Sequence, residues 1–357
     1  MKRMSLVVIA LVSMCCVGEA QAIRVPSPVA VAFVTPRVGW VGGEGIIAAT
    51  VDGGKTWHRQ YAGKAPISQV DAIARREAWA VEPRELLRTT DGGLHWTRTG
   101  EPPVPLAVVD FTSRLRGWGI SEPPATLVNV ERQPLPGAGR LVRTVDGGMH
   151  WIYAQAPAPA PTIQSVCFAT SSHGWIARGG SVWETVNMGR SWRSVLAIPL
   201  KAKVIWRATL VCDAHTAWFR VAGGQSVMNQ TPQLFYRWLA GRWQPQMEEH
   251  YFANAAYPDV ARTEAPGEYP GPFGLDRKHH VHFLAIDPVL TQQLHLVGNR
   301  SAPATRAGNP VPYLNAYAPL AISFVTPRDG WVVGYRNAVL TVLRTTNGGR
   351  TWLPSLP

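Results

Sequence analysis

The chain has 357 residues, 46% of them hydrophobic, and a formal net charge of +12 with a pI near 10.0. That length is ample for one closed domain with a core of its own. The basic residues are scattered with no continuous run, so the charge points to acidic partners met across a folded surface.

The chain opens on a secretory signal peptide, Met1–Ala22. Lys2 and Arg3 form its basic end, Ser5 to Val17 its apolar stretch, and Ala20-Gln21-Ala22 a small-x-small cleavage site. The apolar stretch is too short to span a bilayer comfortably, which favours cleavage over anchoring. Met14 before Cys15 and Cys16 stands where an acylated cysteine would need a small residue, so a lipoprotein is not expected. The protein is therefore expected to be exported, to the extracellular space, the periplasm or the cell envelope, and nucleic acid is excluded as a partner by compartment.

From residue 23 onward two phrases alternate. Phe33-Val34-Thr35-Pro36-Arg37-Val38-Gly39-Trp40-Val41 has a near twin in Phe324 to Val332, with looser copies at Ile73 to Trp79, Phe111 to Trp118, Phe168 to Trp175 and Val211 to Trp218. Each is an apolar run, a polar turn, and Gly-Trp or Ala-Trp entering a second run, which predicts strand, turn, strand. A third run follows, such as Leu86-Leu87-Arg88-Thr89. It leads into the second phrase, Thr50-Val51-Asp52-Gly53-Gly54-Lys55-Thr56-Trp57, repeated at Thr89 to Trp96, Thr144 to Trp151, Thr185 to Trp192 and Thr345 to Trp352.

The second phrase is a hairpin turn with a hydrophobic peg. The carboxylate or amide of Asp52, Asp91, Asp146, Asn187 and Asn347 accepts backbone N–H groups further on, the glycines supply positive φ, and Trp57, Trp96, Trp151, Trp192 and Trp352 bury an indole beneath. Two copies carry Asn. Asn makes the turn but cannot serve as a general base, which favours a structural role for all five.

A short fourth strand after each tryptophan completes a four-stranded blade, and the period predicts an all-β single propeller over residues 23–357. The blades fall roughly at 29–66, 67–103, 104–159, 160–200, 201–247, 248–317 and 318–357. The sixth is degenerate, with His280 to Ile286 and Gln293 to Val297 as its relics. Seven blades fit best, with six and eight as alternatives.

The Thr-x-Asp-x-Gly-x-Thr-Trp phrase resembles the Asp-box, or BNR, repeat of sialidases and sortilin-type receptors. The fuller pattern in Phe33 to Trp57 and Phe324 to Trp352 resembles the photosystem II stability/assembly factor family, well in blades one to four and seven and poorly from about Lys201 to Ala318. That resemblance implies a non-enzymatic protein-binding scaffold, an assembly or stability factor for envelope proteins, with no cofactor and no implied link to a photosystem.

The alternative is a sialidase-like glycoside hydrolase or a carbohydrate-binding propeller. Arg24-Val25-Pro26 looks like the first sialidase motif, but the acid/base Asp expected soon after is missing, since Glu44 is the only acid before Asp52. Asp276, His279, His280 and His282 form a tempting metal cluster. Polar residues on an exposed strand are the preferred reading there, and no metal is expected. Asp110 and Asp213 border inner strands with nothing in sequence to pair them. Cys167 and Cys212 fall at comparable points of blades four and five, either as a disulfide or as two buried thiols.

In a propeller the turns between second and third strands, together with the interblade connections, share one side. These connections hold Arg84, Arg132, Arg140, Arg178 and Arg336, with Lys64, Lys201 and Lys203, and their nearest acids are Glu44, Glu82, Glu85 and Glu131. This side is the candidate binding face for a protein or an acidic envelope polymer. Peripheral membrane contact stays open, and the sequence sets no oligomeric state.

Overall fold

The computed structural model describes residues 29–121, 139–157, 163–200, 206–223, 233–249, 272–287, 293–298, 309–311, 319–336 and 339–356. The expected signal peptide and Arg24-Val25-Pro26 lie outside the described residues, as does Glu131.

Seven antiparallel four-stranded sheets follow one another, each in sequence order. Blade 1 is Ala30–Phe33, Gly39–Gly42, Glu44–Thr50 and His58–Pro66; blade 2 is Gln69–Ala74, Glu77–Val81, Leu86–Thr89 and Thr97–Arg98. Blade 3 is Leu106–Phe111, Gly117–Ser121, Leu141–Thr144 and Ile152–Tyr153; blade 4 is Ser165–Phe168, Gly174–Arg178, Ser181–Thr185 and Arg193–Ala197. Blade 5 is Trp206–Cys212, Ala217–Gly223, Gln233–Leu239 and Arg242–Glu249. Blade 6 is Phe273–Leu275, Val281–Asp287, Gln293–Gly298 and Asn309–Pro310; blade 7 is Pro319–Phe324, Gly330–Arg336, Val339–Thr345 and Leu353–Leu356. Each first strand touches the first strands of both neighbouring blades, and blade 7 returns to blade 1, so the first strands form a closed inner ring. The molecule is an all-β propeller, and the described residues contain no helix.

The core lies between blades, built from a repeated aromatic unit. The tryptophan opening the second strand of one blade stacks on the phenylalanine ending the first strand of the next. Trp331 lies on Phe33 with centroids 3.4 Å apart, Trp79 on Phe111 at 3.7 Å and Trp118 on Phe168 at 4.0 Å, all within 5° of parallel. The tryptophan closing the turn phrase meets the same phenylalanine edge-on, as Trp57 does Phe33 at 83° and Trp352 does Phe324 at 84°. Trp57, Trp151 and Trp352 are buried, whereas Trp96 and Trp192 are half-buried. Arg88, Arg237 and Arg344 lie over the faces of Trp79, Trp218 and Trp331 at 5.3–5.9 Å, directly across the strand pair.

The glycine of Gly-Trp follows from this unit. A Cβ on Gly39, Gly117, Gly174 or Gly330 would stand 2.3–2.5 Å from the ring of Phe33, Phe111, Phe168 or Phe324, its cross-strand partner. The other three blades have no phenylalanine there and no glycine: Ala72 faces Ala78, Cys212 faces Ala217, and Leu275 faces Val281.

Blade 6 keeps the unit with a different ring. His282 occupies the tryptophan's place and stacks on Phe324 at 4.1 Å and 6°. It is 5% exposed and its Nε2 lies 2.9 Å from Asp276, itself 2% exposed. The expectation of polar residues on an exposed strand is corrected for these two, because the ring fills an interblade slot that water cannot enter.

Candidate binding faces

Antiparallel order brings the first-to-second and third-to-fourth turns to one end of every blade. In blade 1, Thr50 Oγ1 donates to Asp52 Oδ1 (2.8 Å) and accepts the Gly54 N–H (2.8 Å). Asp52 also accepts the Thr56 N–H (3.0 Å) and hydroxyl (2.6 Å). The same turn recurs at Thr89/Asp91/Gly93/His95 and Thr144/Asp146/Gly148/His150, with the histidine Nδ1 in place of the Thr56 hydroxyl. In the two Asn copies the amide donates outward instead, from Asn187 Nδ2 to Ser191 Oγ and from Asn347 Nδ2 to Thr351 Oγ1, each 2.8 Å. Gly53 and Gly54 take φ of 82° and 87°, while Met188 takes 62° at the matching place in the worn copy. Each turn also bonds the first-to-second turn of its own blade, as Gly53 N–H does Arg37 C=O (2.8 Å) and Gly348 N–H does Arg328 C=O (2.9 Å).

The carboxylates of this end are committed to their turns. Partial burial opposes ionisation of Asp52, but the Thr56, Thr50 and Lys55 hydrogen bonds win and hold it down to about 2. The His95 backbone N–H and ring hold Asp91 low in the same way. Glu77 carries Arg88 and Arg114, Glu184 carries His173 and Arg193, and Thr326 Oγ1 donates to Asp329 at 2.7 Å.

A second set of polar side chains clasps adjacent blades at one repeated position of the first strand. Ser323 Oγ accepts the Phe33 N–H (3.0 Å), Asp71 the Phe111 N–H (2.8 Å) and Asp110 the Phe168 N–H (2.6 Å). Asp110, which nothing in sequence paired, therefore has a backbone partner in the next blade. Cys167 holds the same position in blade 4 and is bonded to Cys212 at the phenylalanine position of blade 5, with Cα atoms 5.9 Å apart. A covalent bond stands where the other clasps use a hydrogen bond. Enclosure between strands, with the charge of Asp110 adding, pushes Asp71 up to about 8 against the Phe111 N–H; enclosure pushes Asp110 up to about 7. Both residues are half-buried.

Asp213 accepts the His215 and Thr216 N–H groups and meets His279 Nδ1 at 2.5 Å, tying blade 5 to blade 6. His280 lies against Asp276. Among the described residues no three His, Cys, Asp or Glu side chains gather as a metal ion would require.

On the opposite side, Lys64, Arg84, Arg140 and Arg178 are exposed. Arg140 lies over the Tyr153 ring at 5.5 Å. Arg84 stands between two acids with partners of their own: Glu82 accepts the Tyr61 hydroxyl at 3.0 Å, and Glu85 pairs with Arg98 at 2.6 Å. Arg336 ends the second strand of blade 7, but its side chain is outside the described residues, as are Arg132, Lys201 and Lys203 altogether. Sequence reasoning missed the basic residues of the turn-phrase side, such as Arg75, Arg76 and Arg114, all exposed. They were legible as charged turns, had both ends of the blades been weighed.

No family model matches the chain, and no curated protein does. Solved structures do. A streptogramin B lyase is 11% identical with a TM-score of 0.56, over 90% of this chain and 95% of that one. A catalytically inactive virginiamycin B lyase from Staphylococcus aureus, with quinupristin, is 13% identical with a TM-score of 0.55, over 91% and 98%. YCF48 bound to a D1 peptide is 15% identical with a TM-score of 0.45, over 94% and 84%. The two lyases bear on fold alone, and the fold they share with this chain is the propeller.

Proposed function

We infer that this protein is an exported, non-enzymatic propeller that holds an acidic partner, most simply a segment of another envelope protein. One observation carries the reading. Among the described residues, seven carboxylates are engaged by the fold, in turns (Asp52, Asp91, Asp146), interblade clasps (Asp71, Asp110) and ion pairs (Glu77, Glu184). Arg84, Arg178 and Lys64, by contrast, are exposed, while beside Arg84 the Glu82 carboxylate accepts the Tyr61 hydroxyl and Glu85 is ion-paired with Arg98. Arg84, Arg178 and Lys64 lie on connections or near strand ends that strand order brings to one side of the blades, where like charges add into one positive field. The scaffold role itself follows the resemblance carried by Phe33 to Trp57 and Phe324 to Trp352.

Charge reversal tests it. Arg84→Glu, Arg140→Glu and Arg178→Glu together should leave the melting curve unchanged and abolish retention of the partner in crosslinking pull-downs from the native envelope. Intact fold with intact retention refutes the face. Turnover of an aryl-glycoside that disappears when one carboxylate is removed refutes the non-enzymatic reading.

A further inference from the structure

Two side chains of the turn phrase take no part in holding the turn together. They are the residue after its first Thr and the residue after its second Gly. Hydrogen bonds and glycine φ values make the turn without them. The first site holds Val51, Thr90, Val145, Val186 and Thr346; the second holds Lys55, Leu94, Met149, Arg190 and Arg350. None is acidic. Val51, Leu94, Val145, Met149 and Val186 are 50–78% exposed, and Leu115 on the adjoining turn of blade 3 is 55% exposed. A single exposed apolar residue would be ordinary; here they recur at the matching turn tips of four successive blades, on one end of the propeller.

The first-to-second turns of blades 1, 2, 3 and 7 at this end are basic: Arg37, Arg75, Arg76, Arg114, Arg116 and Arg328 are all exposed. Of the acids described at the same end, Asp52, Asp91, Asp146, Asp213, Asp276 and Asp329 are held by turn or histidine contacts and Glu77 and Glu184 by ion pairs, Glu77 engaging Arg114, and none is fully exposed.

We propose that this end of the propeller docks on an anionic lipid bilayer, with the apolar turn tips of blades 1 to 4 entering the headgroup region and the arginines contacting lipid phosphates. Separate apolar tips on four neighbouring blades, interspersed with arginine, match an interface that accepts dispersed insertions and rewards each basic residue near its surface. An acidic peptide would instead need one continuous groove, and the tips belong to separate turns. The surface is opposite the partner side and does not depend on it: a propeller seated this way presents Arg84 and Arg178 away from the membrane.

The test is co-sedimentation of the purified protein with vesicles of phosphatidylcholine alone and of phosphatidylcholine mixed with phosphatidylglycerol. Binding should be confined to the anionic vesicles and weaken with salt. Arg75→Gln, Arg76→Gln and Arg190→Gln together should lower it on the order of a hundredfold, from roughly fivefold per basic residue. Leu94→Ser, Met149→Ser and Val186→Ser together should abolish binding that persists at high salt, with melting curves unchanged in both variants. Absence of binding, equal binding to neutral vesicles, or wild-type binding by both variants overturns the proposal. So does loss of protein capture from the envelope in these variants with vesicle binding intact, since the end would then be a protein interface. Retention by the Arg84 side is read separately, so failure here leaves the partner reading standing.

Discussion

Replacing Gly39 with Ala tests the interblade unit where blade 7 closes on blade 1. The new Cβ would stand 2.4 Å from two ring atoms of Phe33. The ring cannot retreat, because its other face lies on Trp331 at a centroid distance of 3.4 Å. The φ of Gly39 lies outside the left-handed region, so crowding alone sets the cost, about 1–3 kcal/mol for overpacking a tight core. Phe33→Ala should cost about 3–5 kcal/mol by emptying the slot between Trp57 and Trp331. The three atoms nearest the Cβ all belong to the Phe33 ring, so with the ring gone the crowding is relieved and the double variant should cost little more than Phe33→Ala alone. Blade 2 already lives with that pair as Ala72 and Ala78. Urea unfolding followed by tryptophan fluorescence gives all four free energies of the cycle. Single-variant costs that add to within ~0.5 kcal/mol would refute the reasoning, since uncoupled sites behave that way.

Three further outcomes follow from the clasps and turns. Asp52→Asn should cost far less at neutral pH than Trp57→Ala, which should cost about 3–5 kcal/mol, because Asn187 and Asn347 make the same turn. Folding lowers the Asp52 pKa from about 3.9 to about 2, so the carboxylate's contribution is full above its ordinary value and lost as pH falls through about 2; melting below about pH 4 should therefore be less pH-dependent in the variant, and an unchanged acid limb counts against this. For Asp71 the sign reverses: folding raises its pKa to about 8, so its contribution is full below about 3.9 and lost as pH climbs towards about 8. Asp71→Asn, which keeps an acceptor for the Phe111 N–H, should raise the melting temperature near pH 8 and leave it unchanged near about pH 4. Reduction should destabilise the fold by about 2–4 kcal/mol, the usual range for a loop like the one between Cys167 and Cys212, 45 residues apart; labelling of either thiol in unfolded, unreduced protein would contradict the bond.

The blades were legible because one physical unit repeats. Phe33 to Trp57 and Phe324 to Trp352 spell out both halves of the aromatic stack and the turn that pegs it. Blade 6 was faint for an equally physical reason: His282 does the tryptophan's job, and a pattern keyed to tryptophan passes over a histidine buried by stacking. The clasping acids were also hidden, since Asp71 and Asp110 find their partners on the next blade's backbone, and a backbone N–H has no letter in the sequence. The positions of charge could be assigned to one end or the other by strand order. Which end carries exposed apolar tips required knowing that Val51, Leu94 and Val145 project while the turn is held by its neighbours.

The central claim is that a basic propeller surface holds an acidic partner without chemistry. It is tested most directly by the affinity of the partner captured from the envelope, measured as salt is raised from about 0.1 M to about 1 M, over which the Debye length shrinks from ~10 Å to ~3 Å. The account predicts a steep fall in affinity for the wild-type protein and a shallow one for the Arg84, Arg140 and Arg178 reversal. An affinity that is flat or rises with salt, the same in both proteins, would contradict it.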